Sequence, residues 1–194
     1  QLVGGALPQS YVDLILGQYD VSSDGSDPLA VFAVNQPVNN REGNIDGMEF
    51  AWQHFFGETG FGFQANYTLV NGDVELDPAA SIDENQFALL GLSDTANLTA
   101  IYEKYGFSAR LAYNWRDTFL LATNQGGDRS GTYVEDFGQY DLNVSYDINE
   151  QIAVSFEGIN LTGEDQRIYH RVPEQVYYVY ELAPRYQIGV RYKF

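Results

Sequence analysis

The chain has 194 residues, 44% of them hydrophobic and 15% aromatic, which is a globular rather than a disordered balance. Ten Lys and Arg against 27 Asp and Glu give a formal charge of −17, and a chain this acidic argues against nucleic acid as a partner. There is no cysteine, so no disulfide framework or thiolate metal site is available, and no apolar run approaches the roughly 18 to 20 residues a membrane helix needs.

The opening "QLVGGALPQS" has neither the cationic start nor the apolar core of a signal peptide and does not begin with Met, so the expectation is a mature product or a fragment. In the first forty residues "YVDLILGQ" (11–18) and "LAVFAVNQPV" (29–38) are weak strand candidates. From there the period of two that marks a strand dominates. Met48, Phe50, Trp52, His54 and Phe56 alternate with Glu49, Ala51 and Gln53, and Phe61, Phe63, Ala65, Tyr67 and Leu69 follow after the turn "GETG". A second hairpin runs Ala96 to Tyr102 and Phe107 to Trp115 around Tyr105 and Gly106. A third joins Leu142, Val144, Tyr146 and Ile148 to Ile152, Val154 and Phe156 through "NE". The closing "RYQIGVRYKF" (185–194) makes a seventh strand, with Tyr186, Ile188, Val190, Tyr192 and Phe194 on one side.

The connections alternate in length: short turns at 57–60, 105–106 and 149–150, long polar loops over about 72–93, 122–135 and 162–176. A transmembrane antiparallel β-barrel places short turns on one side of the bilayer and long loops on the other, and its strands cross with roughly 9 to 11 residues. Aromatics beside the short turns (Phe55, Phe56, Phe61, Tyr102, Tyr105, Phe107, Tyr146, Tyr192, Phe194) are expected to form an interfacial girdle. Seven strands are odd for a bacterial barrel. Either an eighth lies in the first forty residues, making a small self-contained barrel that serves as anchor or adhesin, or the chain is the C-terminal part of a larger one, which is the favoured reading. A soluble β-sandwich binding module is the third reading.

"QPVNNREGNIDGMEFAWQHFF", "GFGFQANYTLVNGDVELDP", "GLSDTANLTAIYEKYGFSARLAYNWRDTFL", "FGQYDLNVSYDI", "FEGINLTGED" and the closing "RYQIGVRYKF", in this order, strongly resemble the C-terminal β-barrel region of TonB-dependent outer-membrane receptors. The resemblance implies an all-β fold, the last strands of a 22-stranded barrel in the outer membrane of a Gram-negative bacterium. Residues 1–43 would be mainly an extracellular loop or strand extension and 44–194 about seven membrane strands. It implies import of a scarce small-molecule solute, with outer-membrane lipid, the N-terminal plug, the remaining strands, the TonB complex and the barrel-assembly machinery as partners. Neither plug nor TonB box is visible in these residues. Tyr192 and the terminal Phe194 resemble the signal read by the assembly machinery. The motifs look most like the carbohydrate-uptake branch, with ferric siderophore or cobalamin as the alternative solutes.

Candidate site residues are of two kinds. Arg110, Asn114, Arg116, Asp141, Asn143 and Glu157 share the non-lipid phase of their strands and are expected to face the lumen, most of them meeting plug and water. Asn124, Gln125, Tyr133, Tyr169, His170, Tyr177 and Tyr178 lie in the long loops, where rings and amides can stack on and hydrogen-bond a solute, although loop packing is the commoner use. Asp73, Glu75, Asp77, Asp83 and Glu84 are oxygen ligands of the type Ca²⁺ prefers, but their spacing matches no calcium loop and they are read as a solvated acidic loop. His54 and His170 have no Ser, Cys or ligand pattern that would build a triad or zinc site, so neither an enzyme, a metal nor a cofactor is expected.

Overall fold

A computed structural model describes residues 41–81, 84, 86–123 and 130–194, together with Ser10, Leu14, Gly17 and Gln18. It divides into two compact units, Gln1–Glu42 and Gly43–Phe194. In the first, the backbone is helical at Ser10, Leu14, Gly17 and Gln18, so "YVDLILGQ" is not a strand at Leu14, Gly17 and Gln18. The other candidate, 29–38, lies outside the described residues.

The second unit is built of strands. Seven form one antiparallel sheet: β1 (Ile45–Phe55), β2 (Phe61–Gly72), β3 (Thr95–Lys104), β4 (Phe107–Arg116), β7 (Phe137–Asp147), β8 (Ile152–Ile159) and β11 (Arg185–Tyr192), in the order β1-β2-β3-β4-β7-β8-β11. These are the seven strands expected from the alternation, with wider limits: β1 begins at Ile45 rather than Met48, and β7 at Phe137 rather than Leu142. At the other ends the strands stop sooner. Ile148 belongs to the turn, its N–H donating to the Ile152 carbonyl at 2.9 Å, and β11 ends at Tyr192, although the Lys193 N–H still reaches the Gln151 carbonyl at 2.8 Å.

Three tight connections share one end of this sheet. The shortest has only Tyr105 (φ 57°) and Gly106 (φ 76°), both left-handed, which matches the strand twist in a two-residue hairpin. Glycine adopts that conformation freely and Tyr105 does so at a cost, held by the register of ten strand pairs on either side.

At the opposite end, two of the long connections contain strands that composition alone does not reveal. β5 (Phe119–Ala122) and β6 (Thr132–Val134) rise between β4 and β7, while β9 (Gln166–His170) and β10 (Val176–Tyr180) rise between β8 and β11. The two hairpins join through β6 and β9 into a second sheet, order β10-β9-β6-β5. Segments of three to five residues carry too little periodicity to be read in isolation, and they pair because the long strands below hold them side by side.

Register assigns every side chain of the main sheet to a face, since directly opposed residues share one. Met48, Leu69, Phe50, Tyr67, Leu98, Tyr113, Leu111, Leu142, Val144, Phe156, Val190 and Ile188 fall together. On the other face lie Gln53, Gln64, Thr99, Asn66, Asn97, Asn114, Arg110, Asn143, Glu157 and Gln187. Phe55 also falls there, its ring over Gly62, and so is not part of the girdle: adjacent strand residues point to opposite faces, and Phe56 takes the apolar side. Along the short-turn edge of the apolar face the other rings do meet, with centroids of Phe61 and Tyr102 4.7 Å apart, Tyr102 and Phe107 5.9 Å, and Tyr192 and Phe194 5.2 Å.

The apolar face is not covered. Trp52 is 66% exposed, Ile188 79% and Val190 72%, and of the buried apolar residues Leu120, Val134, Ile168 and Tyr169 belong to the small sheet while the large one contributes Ile101 and Ala153. A soluble sandwich would bury this face against a second layer. A contiguous apolar surface of this extent belongs against lipid or another protein layer, and the described residues build no second layer of the kind a soluble sandwich needs.

Val144 and Asn143 are neighbours on β7 with opposite faces, which isolates the effect of lipid from that of local structure. Val144→Arg should cost roughly 2 to 4 kcal/mol in the bilayer and deplete the heat-modifiable, folded band from the outer-membrane fraction, whereas Asn143→Arg should leave it near the parental level. Equal yields would reverse the assignment of faces.

Candidate solute-binding surface

All six residues expected in the lumen lie on the polar face of the main sheet, but they do different things. Arg110 pairs with Glu103 at 2.8 Å and stands in register with Asn143, which in turn opposes Glu157. Both partners of that ion pair are about half exposed, so water screens it and its contribution is small. Nearer the long loops, the Asp141 carboxylate accepts from Gln139 Nε2 at 2.7 and 2.9 Å, from Asn114 Nδ2 at 3.2 Å and from the Asn160 N–H at 2.9 Å. Arg116 is committed to structure: it donates to Ser93 Oγ at 2.8 Å and to the Gly91 carbonyl at 2.9 Å, and its guanidinium stacks 3.7 Å from the Phe119 ring centroid.

Asn160, which no motif of the sequence singles out, is a central clamp. It is 4% exposed with φ 54°, a left-handed conformation that Asn tolerates better than most residues. Its Nδ2 donates to the carbonyls of Glu164 (3.0 Å) and Leu182 (2.6 Å), and its Oδ1 accepts from the Glu164 N–H at 2.9 Å. The amide thus closes the connection that carries β9 and β10 at both of its ends, and Asp141 below holds the backbone of Asn160 to the polar face. "GINLTGED" carries the Asn, but no spacing rule separates this residue from a surface loop Asn; the partner at 182 becomes visible only in three dimensions.

The small sheet gathers the aromatic loop residues. Tyr133 and Tyr169 are opposed across β6 and β9 and stack at 5.3 Å and 14°. His170 and Tyr177 approach to 4.2 Å, Tyr177 and Tyr178 to 4.1 Å, and Tyr178 stacks with Tyr180 at 6.2 Å. The register slip between Val176 and Tyr178 allows the last three rings to cluster although they are close in sequence. The His170 ring is fixed from below by Thr132, whose hydroxyl lies 3.1 Å from Nδ1 and is almost fully buried. Asn124 and Gln125 lie outside the described residues. Burial, and then the Glu75 carboxylate, push the Tyr133 phenol above its ordinary range. The Tyr169 phenol moves the same way, through burial and then the neighbouring Tyr133 and Glu135.

A third long connection, between β2 and β3, docks on this sheet. Leu76 reaches Gly131 so closely that a Cβ there would stand 2.6 Å from its methyl carbon, which explains a glycine at that position. Arg171, on the turn after β9, donates from Nη2 to the Ala80 carbonyl at 3.2 Å and from Nε to that of Pro78. Between this strap and the small sheet lies a cleft of about 310 Å³ that Glu75, Leu76, Leu89, Leu120, Tyr133 and Tyr169 help to line. Of the acids read as candidate oxygen ligands, Asp73 accepts from the Asn44 N–H (2.8 Å) and Nδ2 (2.6 Å), contacts that hold its carboxyl below the usual carboxylate range, and Asp77 caps the Ala79 N–H at 2.8 Å. Asp83 lies outside the described residues. Among the described residues no three His, Cys, Asp or Glu side chains converge to hold a metal.

Asn160→Gly keeps the left-handed backbone and removes only the amide. Loss of its hydrogen bonds should destabilise the β8–β11 connection by about 2 kcal/mol or more, read as faster protease cleavage within 160–184 while the strands stay protected. Unchanged cleavage would mean the clamp is idle.

The chain matches the family model described as "TonB dependent receptor-like, beta-barrel" over residues 10–161. No curated protein and no solved structure matches it. Those matched residues include six of the seven long strands and the paired polar and apolar faces. By this match, and by an antiparallel sheet with one polar and one apolar face, the chain belongs to the TonB-dependent receptor-like β-barrel family, transport receptors of the Gram-negative outer membrane and not a family of enzymes.

Proposed function

We propose that this chain supplies barrel strands and external loops to a receptor that imports a scarce solute, with carbohydrate the favoured class. On this reading the long-loop end faces the outside and the short turns face the periplasm. The polar face, with Arg110, Asn143 and Glu157, lines the lumen against the plug, and the edges of β1 and β11, which have no partner strand among the described residues, continue into the remaining strands, because no backbone edge can stay open in lipid. Energy comes from the TonB complex acting on the plug, so no residue here needs to do chemistry.

The observation that carries the carbohydrate preference is the ring cluster that Tyr177, Tyr178 and Tyr180 of the exposed strand β10 form with His170 at the end of β9. Rigid rings offer flat apolar area at low entropic cost, which suits the C–H faces of a sugar ring, and their hydroxyls suit its rim. Phe194, fully exposed beyond the end of β11 and packed edge-on against Tyr192, supports a role in recognition by the assembly machinery.

Titration of the intact receptor in detergent with a panel of oligosaccharides, ferric chelates and cobalamin tests the solute class. An oligosaccharide should bind, and Tyr177→Ala or Tyr178→Ala should each weaken it by about 3- to 10-fold, the worth of one stacking contact. Tight binding of a ferric chelate or of cobalamin, with no sugar bound, would replace the carbohydrate reading.

A further inference from the structure

The cleft beneath the 73–81 strap has an electrostatic character that its lining residues define. Two of its walls are rings, the stacked Tyr133 and Tyr169, and others are the aliphatic side chains of Leu76, Leu89 and Leu120. Glu75 is the one formally charged side chain among the described residues that line it. Its field is felt inside, since after burial it is the cause that raises the Tyr133 phenol.

Three guanidiniums lie in the surrounding loops and strands and keep their charge, but none of them is among the residues that line the cleft. Arg167 pairs with Glu135 at 3.2 Å and donates to the Pro173 carbonyl at 2.7 Å. Arg171 is held in place by the carbonyls of the strap, and Arg116 by Ser93, the Gly91 carbonyl and the Phe119 ring. Within the three long connections the only other Lys or Arg is Arg129, which lies outside the described residues. Acids outnumber cations in the same three connections: Glu135 and Asp136 act on Tyr169 against Arg167, and Asp73 and Asp77 flank Glu75 in sequence. A recess whose lining carries one sign of charge, with an excess of that sign nearby, concentrates ions of the other sign and repels its own.

We propose that this cleft is a charge-selective entry site that admits uncharged or cationic solutes with a flat apolar face and turns anionic ones away, with Glu75 as the residue that sets the selection. The proposal rests on the receptor reading for the direction from which solute arrives, and extends it by the charge of the ligand. A volume of about 310 Å³ lies at the small end of ligand pockets, enough for one ring system or the terminal unit of a longer solute, not for a whole oligomer. Val70 and Gly72 on the cleft wall are polar-face positions of β2, so a solute leaving the cleft inward meets the Asn and Gln rows of that face.

These 194 residues contain no cysteine, so with any cysteine elsewhere in the receptor replaced by serine an introduced thiol reads the potential directly. Val74→Cys and Thr118→Cys each place a thiol on the cleft wall. Full-length receptor in outer-membrane vesicles is treated with methyl methanethiosulfonate and with its trimethylammonium-ethyl and sulfonato-ethyl relatives, each rate being divided by that with a free small thiol. The cationic reagent should exceed the anionic one by about tenfold at low salt, the lower end of what a focused field does to encounter rates. The ratio should fall towards one at about 1 M salt, and Glu75→Gln should reduce it by several-fold. Equal normalised rates at both positions, or faster reaction of the anion, would overturn the proposal, as would inertness of both thiols to the neutral reagent. If Glu75→Gln fails to reach the membrane, the salt series on the parental background decides. Solute uptake by the cysteine-free receptor, measured in parallel, reports on the receptor reading separately.

Discussion

Everything in this protein depends on the two-residue period of an extended strand meeting a solvent that cannot hydrogen-bond. Strand geometry sends neighbours to opposite faces, and lipid requires every backbone group to be paired within the sheet. Together these demands produce long antiparallel strands with unbroken ladders, one face of Leu, Val, Ile and aromatic side chains, and one of amides and charges. The acidic total is compatible with this arrangement because charges on the apolar face are confined to its ends, Asp46 and Lys104, and avoid its middle, where a cation costs several kcal/mol.

The same constraint divides the labour between the two ends. Where the chain must return immediately, the turns are as short as geometry permits, down to the Tyr105–Gly106 pair with both residues left-handed. Where it leaves the sheet on the long-loop side, water is available again and the chain can build an ordinary small core. Leu120, Val134, Ile168 and Tyr169 are buried there, on a four-stranded sheet that no single loop could form. Asp141 and Asn160 couple this outer layer to the strands, and Arg171 couples the β2–β3 strap to it. A change in any one of the three loops is therefore felt by the other two, since the small sheet has too few strands in each to stand alone.

The fold class, the seven long strands, their faces and the asymmetry of turns and loops were legible in the residues themselves, because a period of two sustained over eight to twelve residues has no competing interpretation. The polar-face assignments of Arg110, Asn114, Arg116, Asp141, Asn143 and Glu157 follow from the same parity. Phe55 shows the limit: composition put it in the girdle with its neighbours, and parity puts it on the opposite face.

What only the tertiary structure decided is which distant loops meet. Strands β5, β6, β9 and β10 are too short to carry a period, and their pairing joins residues about 35 positions apart that are brought together by the strands beneath. The stacking of Tyr133 on Tyr169, the reach of Asn160 to the Leu182 carbonyl and the seating of Leu76 against Gly131 depend on that convergence. Local periodicity determines the direction in which a side chain points, and it is encoded by neighbours in the chain. The partner that a side chain meets there is set by long-range register, which no local pattern contains.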